Sequence, residues 1–339
     1  MLNFTFVPVW VIEDLLIYLA TLATIFYIVK REPHPVARLM EMFAFATLDS
    51  AAYENFATTQ PHFYEYGRSL IMIFNVPLSV PLFEYLVLYA ALKLFERTRM
   101  PTWLKPLGAG FLAVVADFTL DPVSVQQRFH TLEGTIGRWT WYPLPGDVQI
   151  YTEPVKNFTG WMLIVGYAAT AVLLGRAWHR RTGFSSLVGY LYPVLGAIVA
   201  LVVLVTPLSL FFLNLAPFFA AGSNGEWVML LVMLLLPPVL LAVLWRGKMQ
   251  GRYSLKDDLP IFFVLGGFPV VNVIFTLIGG YMKILWLELL FFAVMELMLA
   301  WFLLAARRAD VGNGREEMPV VTAIPDRVAR PVAEVGTGG

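Results

Sequence analysis

Five carboxylates stand where the sequence otherwise reads as hydrocarbon. Asp49, Glu54, Glu84, Asp117 and Asp121 lie in or at the ends of long apolar runs, and residues 111–125 read FLAVVADFTLDPVSV. The four-residue spacing of Asp117 and Asp121 puts both on one face of a helix. An ionisable side chain at bilayer depth costs at least about 2.5 kcal/mol on insertion scales, so by default it marks a functional site. Asp49, Asp117 and Asp121 have too few Lys or Arg near them in sequence to neutralise them, and burial disfavours the charged form. At least one is therefore expected to hold a proton near neutral pH, and a neutral carboxylic acid in a dry site is a proton donor. Glu54 and Glu65 are expected near water. Glu288 and Glu296 suit intramembrane pairing as well as they suit catalysis.

These acids belong to an integral membrane protein. Of 339 residues, 58% are hydrophobic and only 14% charged, against roughly 45–50% and 25% in soluble domains. Net charge is zero and cysteine is absent. Nothing points to a nucleic acid, and disulfides, thiolate metal sites and cysteine nucleophiles are excluded. The first 30 residues carry Glu13 and Asp14 without a basic start, so they read as a first span and not a cleavable signal.

Spans of about 20 apolar residues are expected at 8–30, 35–58, 67–95, 103–125, 158–178, 185–206, 226–246, 258–280 and 282–305. The fold class is all-α, a polytopic bundle of about nine spans (seven to nine), because lipid admits only helices or closed barrels and period-2 alternation is missing. Most of the 24 Lys and Arg sit on one set of alternate loops, leaving only Arg68, Arg128, Arg138, Lys156 and Lys283 on the other. The positive-inside rule then implies an outside N-terminus and a cytoplasmic C-terminus. Residues 1–306 form the expected membrane catalytic domain, and the polar stretch 307–339 a disordered cytoplasmic tail.

On this layout Asp49, Asp117 and Asp121 share one depth. Span three is expected to carry Asn75 in its outer part and Glu84 deeper, with Pro77 and Pro81 breaking its ladder. The 32-residue stretch from Gln126 to Asn157 holds Trp139, Trp141, Tyr142 and Tyr151 and is too aromatic for disorder. Belt residues at the interface would look the same for the two tryptophans.

ADFTLDPVS (116–124), WTW (139–141) and YTEPVKNFTGW (151–161) together resemble the carotenoid-biosynthesis membrane protein family. Its members include CruF-type carotenoid 1,2-hydratases and bisanhydrobacterioruberin hydratases. The matching positions are Asp117, Asp121, Pro122, Trp139, Trp141, Tyr151, Pro154, Asn157, Gly160 and Trp161, and the similarity covers about 45–170. Upstream, Glu54, Tyr64, Tyr66 and Val76–Leu78 match more loosely. DSAAYENFATTQPHFYEYG lacks the family's glycines, and Glu84 stands where an aromatic is usual.

The resemblance implies a carotenoid hydratase, a lyase of the hydro-lyase type, in a bacterial or archaeal cytoplasmic membrane. Its substrate would be a lipophilic acyclic carotenoid or other isoprenoid held in the bilayer. Such an enzyme protonates a terminal isoprenoid double bond and captures the tertiary cation with water. Asp117 is then the deeper acid and Asp121 its partner, with Asp49 and Glu54 in support. Trp139, Trp141, Tyr142, Tyr151 and Trp161 would line or cover the cation, Asn75 and Glu84 would help hold the substrate and its cation, and Asn157 would hold the water. A cyclase starts with the same protonation and excludes water. A prenyltransferase needs a second acidic cluster for its metal–diphosphate, and none is visible. A proton-coupled transporter fits the buried acids but would place partners in the second half. No metal site is expected, since His34, His62, His130 and His179 show no ligand spacing. No cofactor is expected, and the oligomeric state is left open.

Overall fold

The computed structural model describes residues 8–59, 62–131, 134–205 and 224–313. The expected disordered tail, 307–339, lies almost wholly outside them. Among the described residues, seven helices are long and apolar enough to cross a membrane. They are α1 (Trp10–Arg31), α5 (Leu104–Ser124), α6 (Val155–Arg181), α7 (Ser186–Leu204) and α8 (Asn224–Leu240, continued as a π-turn to Trp245). The others are α9 (Phe268–Gly279, entered through a π-turn from Ile261) and α10 (Leu285–Asn313). The all-α multi-pass class read from the sequence holds.

The second and third expected spans differ from the plain helices anticipated. The second is broken into α2 (Pro35–Ala44), a π-turn (Phe45–Ser50) and α3 (Ala51–Thr59). Such π-bulges are frequent at functional sites, and this one carries Asp49. The third becomes a helix only at Ser79, as α4 (Ser79–Glu96). Residues 67–78 instead form the hairpin of β2 (Met72–Ile73) and β3 (Val76–Pro77). Pro77 therefore lies in a strand, and Pro81 lies in the first turn of α4, where a missing N–H costs nothing. Neither breaks a transmembrane ladder.

The helix α5 is the axis of the bundle. Of its apolar window 94% is buried, against 28–56% for the other six spans, so neighbours surround it and lipid does not. Phe118 is stacked between Phe158 of α6 at 3.8 Å and Phe291 of α10 at 3.9 Å. At Gly110 a Cβ would sit 2.6 Å from the Met162 carbonyl oxygen, so only glycine lets α5 and α6 approach this closely. At the far end, Glu41 ties α2 to α6 and α7. It accepts from Arg176 at 2.9 and 2.8 Å, from Arg38 at 2.7 Å and from Tyr192 at 2.5 Å.

Over the near end lie short ribbons. Strand β1 (Tyr64–Tyr66) pairs antiparallel with β6 (Trp139–Trp141), setting Tyr64 opposite Trp141 and Tyr66 opposite Trp139. Strands β4 (Arg128–Thr131) and β5 (Gly134–Gly137) form a hairpin, as do β7 (Gln149–Ile150) and β8 (Glu153–Pro154). The aromatic stretch between α5 and α6 is thus ordered.

Candidate functional site

Two elements deliver three carboxyls to one point. Asp117 and Asp121 project from α5 on the shared face their spacing requires, and both are wholly buried. Glu153 arrives from β8 and is equally buried. Its approach depends on the β7–β8 turn, where Tyr151 (φ 51°) and Thr152 (φ 77°) adopt left-handed conformations that tight hairpin turns demand and non-glycine residues resist. The Tyr151 hydroxyl secures that turn, donating to the Lys283 carbonyl at 2.7 Å and accepting from Trp286 Nε1 at 2.7 Å.

The carboxylate oxygens of Asp117, Asp121 and Glu153 lie within 4.8 Å of one another. Asn157, in the first turn of α6, points its amide nitrogen at all three. It lies 3.1 Å from Asp117 Oδ2 and 2.6 Å from Asp121 Oδ2, and it also contacts Glu153 Oε1. An amide nitrogen has two N–H groups, so three acceptors compete for two donors. Asp117 Oδ1, Asp121 Oδ1 and Glu153 Oε2 are buried with no ordinary donor among the described residues. No ion pair of the described residues includes any of the three acids. Asp121 further meets both Asp117 and Glu153 carboxyl to carboxyl, a contact that is attractive only with a proton between the groups. Glu153 stands ahead of the α6 span. Burial first, and the neighbouring Asp121 charge second, push its carboxyl well above the usual carboxylate range.

A second acidic group faces the first. Glu54 on α3 is 5% exposed, which corrects the expectation of a solvated side chain. The alternation of β1 puts Tyr64 and Tyr66 on one face, and both hydroxyls donate to Glu54 Oε2, at 2.8 and 2.6 Å. Burial, then the Glu54 charge, push both phenols well above their ordinary range, so they stay donors. Tyr64 packs tilted against Trp141 with ring centres 4.4 Å apart, and Tyr66 against Trp139 at 4.9 Å. Glu84 of α4, 4% exposed, is a further buried acid whose charge would interact with those of Glu54, Asp49 and Asp117.

A cleft of about 430 Å³ opens between these groups. Tyr53, Glu54, Tyr64, Trp141, Asn157 and Trp161 line it, with Ile164, Phe56 and Phe63 adding apolar wall. Asp117 and Asp121 stand one layer back, screened by Asn157.

Of the residues expected from sequence, Asp117, Asp121, Asn157, Glu54, Trp141 and Trp161 come together at this cleft. Tyr142 is 40% exposed, stacks on His62 at 4.8 Å and lines the mouth. Trp139 is buried behind Tyr66 and lines a small separate cavity. Tyr151 clamps its turn and does not reach the cleft. Asp49 and Glu84 line a minor cavity between the second-span π-turn, α4 and α6. Asn75 is misplaced by the sequence reading. It is exposed at the tip of the β2–β3 hairpin, where its backbone N–H donates to Asn55, because the third span starts later than its apolar run suggests. Glu153 was not anticipated, although an acid four residues before Asn157 on the same approach was a usable signal. Glu288 is fully buried, and neither of its oxygens has a hydrogen-bond donor among the described residues; Asp121 lies within charge–charge reach.

The three clustered carboxylates are close enough to share a cation. Asn157, however, presents N–H donors to the point an ion would take, where a ligand would present its carbonyl.

A buried acid cluster behind a largely aromatic cleft inside a bundle of membrane-length helices fits a membrane protein that handles a lipid-soluble molecule. The family model for carotenoid biosynthesis proteins matches residues 12–234, and the chain belongs to that family. No curated protein matches the chain, and no solved structure does. The match spans every residue of both acidic groups, and Glu288 lies beyond it.

Proposed function

We propose that the protein hydrates a terminal isoprenoid double bond of an acyclic carotenoid, giving a tertiary alcohol. The observation that carries this reading is the convergence of Asp117, Asp121 and Glu153 on one amide, behind a cleft lined by Glu54, which two phenols hold. The first group has the character of a proton donor. Three carboxyls this close cannot all be ionised without a cation, and Asp121, touching both others and Asn157, is the member that gives up its proton. The second has the character of a base, because two O–H donors stabilise the ionised form of Glu54.

The polyene lies in the bilayer with its end group in the cleft. Asp121 lies behind Asn157, so a water beside Asn157 takes its proton and gives one of its own to the less substituted olefin carbon, leaving a tertiary cation. The faces of Trp141, Trp161 and Tyr53 stabilise that cation through their negative quadrupoles. Water held against Glu54 attacks it, and Glu54 takes the water's proton. The N-terminus lies outside and the C-terminus in the cytoplasm of a bacterial or archaeal membrane, which puts the acid cluster in the outer half of the bilayer.

Expression in a lycopene-accumulating bacterial host tests the reading. The expected product is heavier than lycopene by one water, with its chromophore unchanged. An isomer of equal mass with a shifted absorption band would mean cyclisation, and unaltered lycopene would remove the reading for that substrate.

A further inference from the structure

Hydration consumes one water per turnover, yet an apolar end group seated in the cleft excludes solvent from the side it entered. Water for the next step has to come from elsewhere in the protein. A second cavity, of about 30 Å³, shares a wall with the cleft. A water needs roughly 10–15 Å³ of such space, so about two fit.

Two side chains join this cavity to the cleft. Trp161 lines both. Tyr66 lines the cavity, and its hydroxyl donates at 2.6 Å to Glu54 Oε2, at the cleft. The rest of the lining carries groups that bind water. Ser79 donates to Asp14 Oδ1 at 2.6 Å and Ser124 to the Leu120 carbonyl at 2.8 Å, which leaves both hydroxyls free to accept. Trp139 supplies a donor: its indole N–H is buried without an acceptor among the described residues. An apolar cavity stays dry, whereas one with donors and acceptors on its walls holds water. Gly67 and Arg138, hydrogen-bonded at 2.8 Å where the β1–β6 ribbon ends, also line it, so refilling from the ribbon side need not cross the cleft.

We propose that this cavity is the store of the hydrating water, which passes the edge of Trp161 to reach Glu54. The inference rests on the hydration reading. Water crosses intact, and no bond changes until its oxygen joins the cation and its proton goes to Glu54. Trp139 and Ser124 hold the stored water away from the substrate and are positioning residues.

The test follows two fates of the cation, with purified full-length protein and lycopene in lipid nanodiscs made up in D2O. Captured by water, the cation becomes the alcohol. Uncaptured, it gives a proton back to the donor group, and lycopene is recovered carrying deuterium. Mass spectrometry of the pigments reads both. Trp139→Phe removes the indole N–H, and Val80→Ile adds one methylene to a wall of the cavity. In each, the ratio of hydrated to deuterated lycopene is expected to fall by about tenfold, the order of one hydrogen bond, while deuterium uptake persists. A wild-type ratio in either variant, whether at full rate or with both products reduced together, would overturn the store and leave hydration standing. Lycopene neither hydrated nor deuterated by the wild-type protein would overturn hydration itself, and the store with it.

Discussion

At the residue scale, the donor group and the base make different demands on substitution. Asp121→Asn keeps the shape and removes the proton. Hydrated product is expected to fall by about a hundredfold or more in pigment extracts, while Asp49→Asn, outside the cleft, leaves it within a few-fold of wild type. The raised Glu153 carboxyl fixes the sign of a pH effect. A proton held more tightly in the folded protein than in the unfolded chain is lost as pH rises through the raised value. Both the activity it supports and its share of stability therefore decline toward alkaline pH. Glu153→Gln, which cannot titrate, should flatten that alkaline limb in a pH–rate profile. Turnover should also survive exhaustive chelation, because Asn157 offers N–H groups where a metal would need oxygen; abolition by EDTA with recovery on adding a divalent ion would refute the metal-free chemistry. Much of this site was legible in the chain. Asp117 and Asp121 announce themselves by apolar context and spacing, and Asn157 and Trp161 by their place in the family's motif. Glu153 was passed over, although it lies inside the matched segment YTEPVKNFTGW, because it stands in no long apolar run. Glu54 looked wet because its cover, Tyr64 and Tyr66, comes from a strand that no periodicity could foretell.

At the scale of elements, two contacts set the geometry that the chemistry uses. Gly110 fixes the separation of α5 from α6, and so of Asp117 and Asp121 from Asn157. Gly110→Ala would press a Cβ onto the Met162 carbonyl, and a cost of about 1–3 kcal/mol is expected for such overpacking. A lowered midpoint of thermal inactivation, with product loss at permissive temperature, would report it. Glu41 is a different kind of joint. Its four hydrogen bonds to Arg38, Arg176 and Tyr192 neutralise a fully buried charge. Glu41→Ala removes the carboxylate that Arg38 and Arg176 share and leaves them only Glu32 at 3.6 Å and Glu96 at 3.2 Å, so destabilisation of up to about 3–5 kcal/mol is expected. The helices themselves were readable from apolar run length. The π-turn at Phe45–Ser50 and the late start of α4 were not, because hydropathy cannot distinguish an apolar hairpin such as Met72–Pro77 from the first turns of a helix.

At the scale of the whole molecule, the family match ends at residue 234, but the structure built around α5 does not. Helices α9 and α10 close its remaining side through Asn272, which approaches the Thr119 hydroxyl at 3.4 Å, and through Phe291 against Phe118. A chain ended after residue 250 would expose that side of α5 to lipid. It is expected to fail to accumulate as a monodisperse species on size exclusion in detergent.

The near-total enclosure of α5 also bears on how the protein is made. A helix carrying Asp117 and Asp121 partitions poorly into lipid alone, since each acid at mid-bilayer is penalised by about 2.5–3.5 kcal/mol on insertion scales. As it emerges from the ribosome, α5 therefore has reason to linger at the insertion machinery until α6 follows, bringing Asn157 and the Phe158 ring with it. The residues proposed to perform the chemistry would thereby make the insertion of α5 depend on α6. Replacing both aspartates with leucine should ease insertion of α5 while ending its use as a catalyst.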